Sequence, residues 1–408
     1  MFFLLASVLA LSISAAVVMF GFGIVLPFLP LYAQILGAGS GLDIGLLSSA
    51  FLLTRTFLAT PFGMASDRIG RKKMIMLGMA VYAITSILFA LSESWFQLLI
   101  FRLLQGVASA MVWPPATALV ADLTPAGKRG TAMGIYNSIS MSGWVIGPAV
   151  GGGIQWYARN VMMLEQLESF RLPFYFSAAL SLISLSLVWF LVKLPAIQKK
   201  GMDPLALFPF KHIEGKFKKT IYALLVIGIS YGFATSFIEP LLVYFVQHEY
   251  FLSPDEVTQS MAAIFSVTGI ATLLVMVYAG RLADKFSKKK IIAIFTSVAQ
   301  ALTIAMPFSG SISNIGVVMV IRSAFYSLTS PAYTALQQDL LPQKVRGTLT
   351  GMFDTFFGLG SIAGPVISFI LYDEVSHSMP FIVSGILGIA TVLILFLIAK
   401  EPAKDEVQ

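Results

Sequence analysis

The feature that most constrains this chain is a series of twelve long apolar segments separated by short polar ones. A membrane-spanning helix needs about 20 predominantly apolar residues. Segments of that kind are predicted at 5–34, 43–65, 74–92, 95–122, 131–156, 172–194, 220–247, 258–281, 290–309, 313–340, 348–372 and 378–399. Only 12% of the residues are charged, whereas soluble domains carry about 25%. The sequence therefore predicts an all-α membrane protein with twelve transmembrane helices.

Several classes of chemistry are disfavoured by what the 408 residues lack. There is no Cys, which excludes disulfides and thiol catalysis. The three His residues, His212, His248 and His377, have no metal-ligand spacing. No nucleophile elbow, HExxH or P-loop is present. We expect neither an enzyme nor a metal or cofactor site.

The positions of the basic residues predict the orientation in the membrane. Of the 27 Lys and Arg residues, 22 lie in the tail and in loops on one side, and two, Arg159 and Arg171, lie in loops on the other. Cytoplasmic loops carry the excess of Lys and Arg. Both termini are therefore predicted to be cytoplasmic. The net charge of +7 reflects this topology, and we expect no nucleic-acid partner.

The only sizeable linker divides the predicted spans six and six. It is basic and contains "PLALFPFKHIEGKFKK", which is compatible with a short amphipathic helix at the inner leaflet or with a solvated connector. We predict an N-terminal six-helix bundle at 1–194, a cytoplasmic linker at 195–219, and a C-terminal six-helix bundle with a short cytoplasmic tail at 220–408.

The chain contains an internal repeat. At an offset of 217 residues, "GMASDRIGRKK" from Gly63 aligns with "GRLADKFSKKK" from Gly280, and Gly147-Pro148 aligns with Gly364-Pro365. An offset of 213 places Pro27 on Pro240. A single offset that holds over so many residues indicates duplication. The two bundles are therefore predicted to be pseudo-symmetric copies.

Three motifs carry a resemblance to a known family. "GMASDRIGRKK" resembles the loop between helices 2 and 3 of the major facilitator superfamily, and "RLLQGVASA" from Arg102 resembles its helix 4 motif. "GWVIGPAVGG" from Gly143 resembles the helix 5 motif that marks exporters exchanging substrate for protons. The chain is thus similar to the 12-helix drug:proton antiporters of multidrug efflux. The resemblance implies the major facilitator fold, a multi-pass location in the cell (inner) membrane, and alternating access; short loops and the lack of targeting signals favour a prokaryotic source.

The resemblance implies a conformational latch at the cytoplasmic end of helix 2. A carboxylate at Asp67 is favoured beside a helix N-terminus, and Arg71 and Asp122 extend the charged network. Arg68 has the alternative role of a topology signal. The latch residues are Gly63, Asp67, Arg68, Gly70, Arg71 and Asp122, with Asp284 as the counterpart in the second half. Ser287 and Lys285 replace motif residues there, so a differently shaped second latch is expected.

The helix 5 motif comprises Gly143, Gly147, Pro148, Gly151 and Gly152. Pro148 removes a helical hydrogen bond and can kink the helix, and the glycines allow close approach of another helix. We expect this helix to pack against the second half and to seal the cavity. The alternative is ordinary packing of small residues.

Ionisable residues inside predicted spans are expensive unless paired or hydrated. There are five: Arg55, Arg102, Glu239, Arg322 and Asp354. Glu239 resembles an acid in helix 7 of quinolone-efflux pumps. We predict Glu239 and Asp354 as proton carriers, and the resemblance implies a coupling role for Arg102. The alternative is a permanent ion pair of either acid with Arg322 or Arg55. Helix 1 lacks the acid that many relatives of this kind carry there.

Aromatic and amphipathic side chains near the middle of the spans are candidates for a substrate pocket. The predicted substrate-binding residues are Arg55, Tyr136, Trp144, Phe233, Phe237, Arg322, Tyr326 and Phe357, with Phe51 and Phe353 as further candidates. We predict proton-coupled export of hydrophobic drugs or toxic compounds by a monomer in contact with membrane lipids. The alternative is a dedicated exporter of one anionic or zwitterionic metabolite or lipid-like amphiphile, such as a sugar, siderophore or lysolipid.

Overall fold

The structure is a computed structural model that describes residues 2–124, 129–192, 218–340 and 346–398. Within these residues the secondary structure is helical, without strands. Of the predicted linker at 195–219, residues 195–217 lie outside the described residues. Ten helices are long and apolar enough to cross a membrane, and the first helix contains a shorter apolar stretch, Ala6–Gly21. The chain divides into two compact units, and each is described by itself.

The first unit comprises Met1–Gly201 and Phe251–Ser266. Its complete helices are α1 (Phe2–Ile35), α2 (Gly41–Ile69), α3 (Arg71–Ala90), α4 (Trp95–Leu123), α5 (Arg129–Asn160) and α6 (Gln166–Leu191). Helix α1 packs on α5 and α6, and α4 packs on α2 and α3. Their apolar faces meet in one core that includes Leu11, Ile75, Val112 and Leu119. The first residues of a further helix, α9 (Pro254–Lys285), also belong to this unit.

The second unit comprises Met202–Tyr250 and Val267–Gln408. Its helices are α7 (Lys218–Ser236), α8 (Glu239–Glu249), α10 (Lys288–Ala305), α11 (Ile312–Leu340), α12 (Arg346–Glu374) and α13 (Met379–Ile398), with a 3₁₀ turn at Met306–Phe308. Helix α9 (Pro254–Lys285) continues into it from the first unit. Helix α7 packs on α12 and α13, and α10 packs on α11 and α13. Pairs of helices thus correspond between the units.

The predicted span at 220–247 corresponds to an apolar stretch, Leu224–Glu249, that is long enough to cross a membrane, but the helix within it is broken. The chain turns at Phe237 and Ile238, so that α7 ends at Ser236 and α8 begins at Glu239. Pro240 explains the interruption because it has no N–H to donate to the carbonyl four residues earlier. Helical bonding resumes with Leu242 N–H, which donates to the Ile238 carbonyl at 2.8 Å.

The two halves of the repeat turn differently between their second and third helices. Gly70 separates α2 from α3 with a φ of 102°, a left-handed value that a side chain would disfavour. The corresponding Ser287 has a φ of −59° and caps α10 by accepting a hydrogen bond from Lys290 N–H at 3.3 Å. The replacement of glycine by serine therefore reflects a turn that needs no positive φ.

Glycine contacts reproduce the repeat. A Cβ on Gly143 of α5 would meet the Ala16 carbonyl of α1, and a Cβ on Gly360 of α12 would meet the Ile229 carbonyl of α7. The two glycines differ by 217 positions, and Ala16 and Ile229 differ by 213. These are the two offsets found in the sequence, so corresponding helices make corresponding contacts in each unit.

Candidate functional site

The break in the second unit places an acid where two half-helices meet. Glu239 is the first residue of α8 and its side chain is half-buried. Free N–H groups and the positive end of the helix dipole lie at a helix N-terminus, so they stabilise a carboxylate there. Interrupted membrane helices of this kind form ion and substrate sites in transporters. The break therefore supplies a polar position within an apolar span.

A buried arginine of the second unit, Arg322, acts on this acid. The two side chains interact electrostatically. Arg322 is 5% exposed, and its Nε donates to Thr303 Oγ1 at 2.8 Å. Its guanidinium carbon lies 5.8 Å from the centre of the Tyr326 ring. The guanidinium is held in place by α10 and α11 while it remains available to a carboxylate on α8.

An aromatic cluster surrounds these charges. Tyr231 of α7 stacks on Tyr326 and on Tyr333 of α11, with ring centres 5.3 Å apart in both cases. Phe357 of α12 lies 5.9 Å from Tyr231 and is 36% exposed. These rings form an aromatic wall with polar edges, which suits flat or cationic ligands.

Phe233 and Phe237 make a second aromatic pair on α7 and at its end. Their ring centres are 4.7 Å apart. Phe237 is fully buried, whereas Phe233 is half-buried. Phe233 therefore keeps part of its ring accessible, and Phe237 packs against it from the core. Phe353 is likewise buried in the second core.

Asp354 lies on the ninth residue of α12, and its side chain is exposed. It interacts electrostatically with Tyr333. It is therefore placed at the opposite end of the tyrosine stack from Arg322 and Glu239, since Tyr326 interacts with those two residues. The two predicted proton carriers, Glu239 and Asp354, therefore border the same aromatic cluster at its two ends.

The first unit contains a buried arginine of its own. Arg102 on α4 is 3% exposed, and its Nε donates to the Leu47 carbonyl at 3.3 Å. Its Nη1 donates to Gln105 Oε1 at 3.1 Å, and the guanidinium carbon lies 5.0 Å from the centre of the Phe51 ring. These contacts join α4 to α2 through one side chain, which fits an organising role.

The two buried arginines occupy inverted positions of the repeat. At an offset of 217, Arg102 corresponds to Met319, and Gln105 corresponds to Arg322. In the first unit Arg102 comes three residues before its partner Gln105. In the second unit Arg322 comes three residues after its partner, and its Nη1 contacts Met319 Sδ at 3.8 Å. One arginine per unit is thus held on the same two helical positions, with the order exchanged.

The other predicted substrate residues of the first unit lie around the same helices. Arg55 on α2 is half-buried, with its guanidinium carbon 6.0 Å from the centre of the Phe51 ring. Trp144 on α5 is half-buried. Tyr136 is fully buried and packs 5.9 Å from Trp113 between ring centres. Its burial makes it a core residue and leaves Arg55 and Trp144 better placed to contact a ligand.

The predicted latch residues of the first unit come together at Arg71. Arg71 Nε donates to Asp67 Oδ1 at 3.0 Å, and its Nη1 forms an ion pair with Asp122 Oδ2. The network therefore links the end of α2 and the start of α3 to the end of α4. Gly63 and Arg68 lie on α2, with Gly63 close to Pro114. Asp284 lies on α9, and its side chain is outside the described residues.

Three glycines of the helix 5 motif face α1. Gly143, Gly147 and Gly151 are spaced four residues apart and therefore share one face. A Cβ on Gly147 would lie 2.8 Å from the Phe20 carbonyl oxygen, and one on Gly151 would lie 2.7 Å from the Phe28 ring. Pro148 lies on the same stretch, where a Cβ on Gly23 would be 3.1 Å from its Cδ.

Gly152 points to a different neighbour. A Cβ there would lie 2.7 Å from Ala262 Cβ on α9. Three residues further along α5, Gln155 Nε2 donates to Asp255 Oδ1 at 2.6 Å, and Arg159 Nε lies 3.2 Å from Asp255 Oδ2. These contacts form a polar clamp, Gln155–Arg159–Asp255, between α5 and the first turn of α9.

The sequence model of the Major Facilitator Superfamily matches residues 11–361 and, in a second match, residues 224–408. The chain belongs to the Major Facilitator Superfamily. The second match covers the C-terminal half of the chain, as expected for a duplicated sequence.

Within the superfamily the similar proteins include drug-resistance transporters. Multidrug resistance protein 2 of Bacillus subtilis (strain 168) is 28% identical over 393 residues, which cover 94% of this chain and 93% of that protein. The quinolone resistance protein NorA of Staphylococcus aureus (strain N315) is 24% identical, with 94% of each chain covered. The chain is accordingly a multi-pass membrane transporter with multidrug-efflux relatives, and not an enzyme.

Solved structures of superfamily members share the fold. The nucleoside transporter NupG superimposes with a TM-score of 0.78 at 15% identity, covering 96% of this chain and all of the other. A bacterial homologue of the human lysosomal transporter Spinster, in an inward-facing and occupied conformation, gives a TM-score of 0.76 at 17% identity and covers 98% and 97% of the chains. At these identities the likeness concerns the fold.

Several residues of the site were not predicted from the sequence. Tyr231 and Tyr333 complete the aromatic cluster, Thr303 and Gln105 hold the buried arginines, and Gln155 joins α5 to α9. The Glu-Pro pair at 239–240 was an available signal for the helix break, because the residue before a proline is disfavoured in helical conformation. The seven-residue spacing of Tyr326 and Tyr333 was a second signal, since it places both on one helix face.

Proposed function

We propose that this superfamily member is a proton-coupled exporter of lipophilic small molecules. The observation that carries the proposal is the position of Glu239 at a helix break inside the membrane span, beside the buried Arg322. An acid in this setting can exchange a proton when its surroundings change. Its location supports a role for Glu239 in coupling.

The charge pair provides a reason for alternation. When Glu239 is ionised, Arg322 and the N-terminal dipole of α8 attract it. When Glu239 binds a proton, that attraction is lost and Arg322 becomes available to other partners. Protonation thus changes the forces that hold α8 and α11 together. Movement of these elements is the step at which proton binding would be linked to transport.

The aromatic surfaces support a lipophilic substrate. In the second unit Tyr231, Tyr326, Phe357 and Phe233 offer ring faces with few charges. In the first unit Arg55 and Trp144 are half-buried beside buried aromatic residues. The drug-resistance function named for the relatives points in the same direction. We assign to these surfaces the binding of flat, apolar compounds, and to Arg102 the organisation of α2 and α4.

Alternating access needs contacts that form and break at both ends of the helices. The Asp67–Arg71–Asp122 network is our proposed cytoplasmic latch, with both termini on that side. The row of glycines on α5 is our proposed fixed contact, which holds α5 closely against α1 during the cycle. We further propose a monomer that contacts membrane lipids, with the exposed Lys73 at the headgroups.

The decisive experiment is proton release from the purified protein in detergent. Lipophilic dyes and quinolone antibiotics are added to the wild type and to Glu239→Gln in weakly buffered solution containing a pH indicator. Binding is measured in parallel by fluorescence. We expect several compounds to release protons from the wild type, and we expect the variant to bind them without release. Glu93→Gln, an exposed acid outside the site, is the matched control and should behave as the wild type.

A second candidate function follows from the other two arginines inside the predicted spans. Arg55 and Arg322 favour an anionic or zwitterionic cargo, as a dedicated metabolite or amphiphile exporter would carry. In that case a single class of anionic compound should bind tightly, with proton release unaffected by Glu239→Gln. Binding without release from the wild type would refute proton-coupled export through Glu239.

A further inference from the structure

Three tyrosines in the second unit form a ladder. Tyr326 and Tyr333 lie seven residues apart on α11, which is about 10 Å along a helix, and Tyr231 of α7 inserts between them. The interplanar angles are 20° and 18°, so the three rings are nearly parallel. Of this ladder, Tyr326–Tyr231–Tyr333, the sequence predicted only Tyr326 as a site residue.

The ends of the ladder meet the two acids that the sequence singled out. Tyr326 interacts electrostatically with Glu239 and Arg322. Tyr333 interacts electrostatically with Asp354, and a Cβ built on Gly228 of α7 would lie 3.8 Å from the Tyr333 hydroxyl oxygen. The ladder is therefore a continuous aromatic connection between Glu239 and Asp354.

The hydroxyl group of Tyr326 is buried beside that of Tyr231. The two tyrosine side chains interact as hydrogen-bonding groups. A buried hydroxyl depends on such a neighbour, because leaving it unsatisfied costs free energy. Because the ring is already packed against Tyr231 and Arg322, phenylalanine would serve packing equally well at this position.

A small cavity borders the ladder. It has a volume of about 20 Å³, and its lining includes Tyr231, Tyr333, Thr296 and Gln300. Thr296 Oγ1 and Gln300 Oε1 are buried and lack hydrogen-bond partners within the described part of the chain. A polar cavity above roughly 10–15 Å³ can hold a water molecule. The cavity beside the ladder therefore has room for one water molecule, which could both donate and accept a hydrogen bond.

We infer that Tyr326, Tyr231 and Tyr333 form a proton relay between Glu239 and Asp354. The inference rests on the proposed proton coupling and extends it to residues without a carboxyl group. Each hydroxyl oxygen accepts a proton as its own proton moves to the next acceptor, directly or through the cavity. After one transfer Glu239 is a carboxylate, Asp354 is a carboxylic acid, and all three tyrosines are neutral again.

Arg322 limits what the relay can do. An excess proton resting on Tyr326 would place a second positive charge near the guanidinium, and the two would repel each other. By contrast, a proton that has left Glu239 restores a carboxylate beside Arg322. Protons therefore pass through the tyrosines from one acid to the other, and no excess proton stays on a tyrosine.

The test is a set of substitutions that remove one hydroxyl and keep the ring. Tyr231→Phe and Tyr326→Phe are reconstituted in proteoliposomes, and Tyr372→Phe, a buried tyrosine of α12 outside the ladder, is the control. Two rates are compared with the same dye: uptake driven by a proton gradient, and counterflow, in which labelled and unlabelled dye exchange without net proton movement. Thermal unfolding in detergent reports whether each variant is folded.

We expect gradient-driven uptake to fall at least about a hundredfold in Tyr231→Phe and Tyr326→Phe, as for loss of a proton-transfer group. Counterflow should fall far less than driven uptake, because both rings that border the proposed substrate surface are kept. The unfolding midpoint should stay close to wild type, and Tyr372→Phe should retain both rates. Unchanged driven uptake in both ladder variants would overturn the relay. An equal loss of driven uptake and counterflow would also overturn it, because it would show that the hydroxyls position the substrate or the helices.

Failure of the proposed function is seen in a different sample. If the wild type releases no protons on binding substrate and its uptake ignores the gradient, proton coupling itself is refuted. If the wild type is coupled and Glu239→Gln abolishes coupling while the ladder variants behave normally, only the relay is refuted.

Discussion

Gln155 Nε2 donates a 2.6 Å hydrogen bond to Asp255 Oδ1 across 100 residues of sequence. Gln155 is fully buried, and its Nε2 also lies 3.3 Å from Ser169 Oγ. Asp255 therefore receives a buried amide and, on its other oxygen, the partly exposed Arg159. The first turn of α9 is held to α5 by one carboxylate with two unequal partners.

Asp255→Ala should destabilise the first unit by about 2 kcal/mol, because a hydrogen bond to a charged group is lost. Double-mutant cycles should give a larger coupling for Gln155 with Asp255 than for Arg159 with Asp255. The side chains of the ion pair are 40% and 25% exposed, and exposed pairs contribute only about 0.2–1 kcal/mol. Thermal unfolding in detergent measures the couplings. Equal couplings would contradict this ranking, and Glu374→Ala, at an exposed acid, should have little effect.

Gly147→Ala should destabilise the protein by about 1–3 kcal/mol, the usual cost of overpacking. The added Cβ would lie 2.8 Å from the Phe20 carbonyl oxygen, and backbone cannot move aside as a side chain can. Gly153→Ala on the same helix is the matched control because nothing lies within 4 Å of its Cβ position. The unfolding midpoint of the control should equal or exceed that of the wild type. A similar loss in both variants would mean that helix propensity, and not contact with α1, decides the effect.

The equivalent substitution in the second unit gives an independent check. Gly364→Ala would bring a Cβ to 2.9 Å from the Phe233 carbonyl oxygen. We expect a loss of stability comparable to that of Gly147→Ala, together with reduced transport, since Phe233 is a proposed substrate contact. Normal stability and transport in Gly364→Ala would show that the repeat does not extend to the packing of α12 on α7.

The helices and the repeat were predictable because they depend on patterns along the chain. Long apolar segments show where spans occur, and the constant offset from Gly63 to Gly280 predicts the duplication. The spacing of Gly143, Gly147 and Gly151 also shows that they share a face. Which helix meets that face depends on tertiary packing, so the sequence did not show that it is α1.

Parts of the site were less predictable because they are formed by residues far apart in the chain. Tyr231 enters the site only because α7 packs beside α11, where its ring fits between Tyr326 and Tyr333. The break before Glu239 was hidden by the apolar residues on both sides of Pro240. Arg322 and Glu239 were each predictable because a charge inside a membrane span costs free energy. That argument applies to each residue separately and did not show that the two interact.

Arg71→Ala should weaken the proposed cytoplasmic latch. Without the guanidinium, Asp67 and Asp122 lose their shared partner, and two neighbouring carboxylates repel each other. Because these side chains are 22–47% exposed, we expect a modest loss of about 1 kcal/mol in stability. Combining Arg71→Ala with Asp122→Asn removes the repulsion between the two carboxylates and should recover part of it. Thermal unfolding measures both, and failure of the second substitution to recover any stability would argue against charge repulsion.

Arg102→Lys should reduce transport although the charge is retained. The planar guanidinium donates to Leu47 and Gln105 from different nitrogen atoms and lies over Phe51. A lysine ammonium is a point charge that cannot reproduce this arrangement. Losing one buried charged hydrogen bond costs about 1.5–3 kcal/mol, so both the unfolding midpoint and the rate of dye export should fall. Arg281→Lys, at an exposed position, is the control and should change neither.

Gln105→Met copies the partner that Met319 provides for Arg322, and we expect it to retain more activity than Arg102→Lys. If Gln105→Met is the more damaging change, the arginine depends on a strong acceptor in the first unit, and the two inverted pairs are not equivalent.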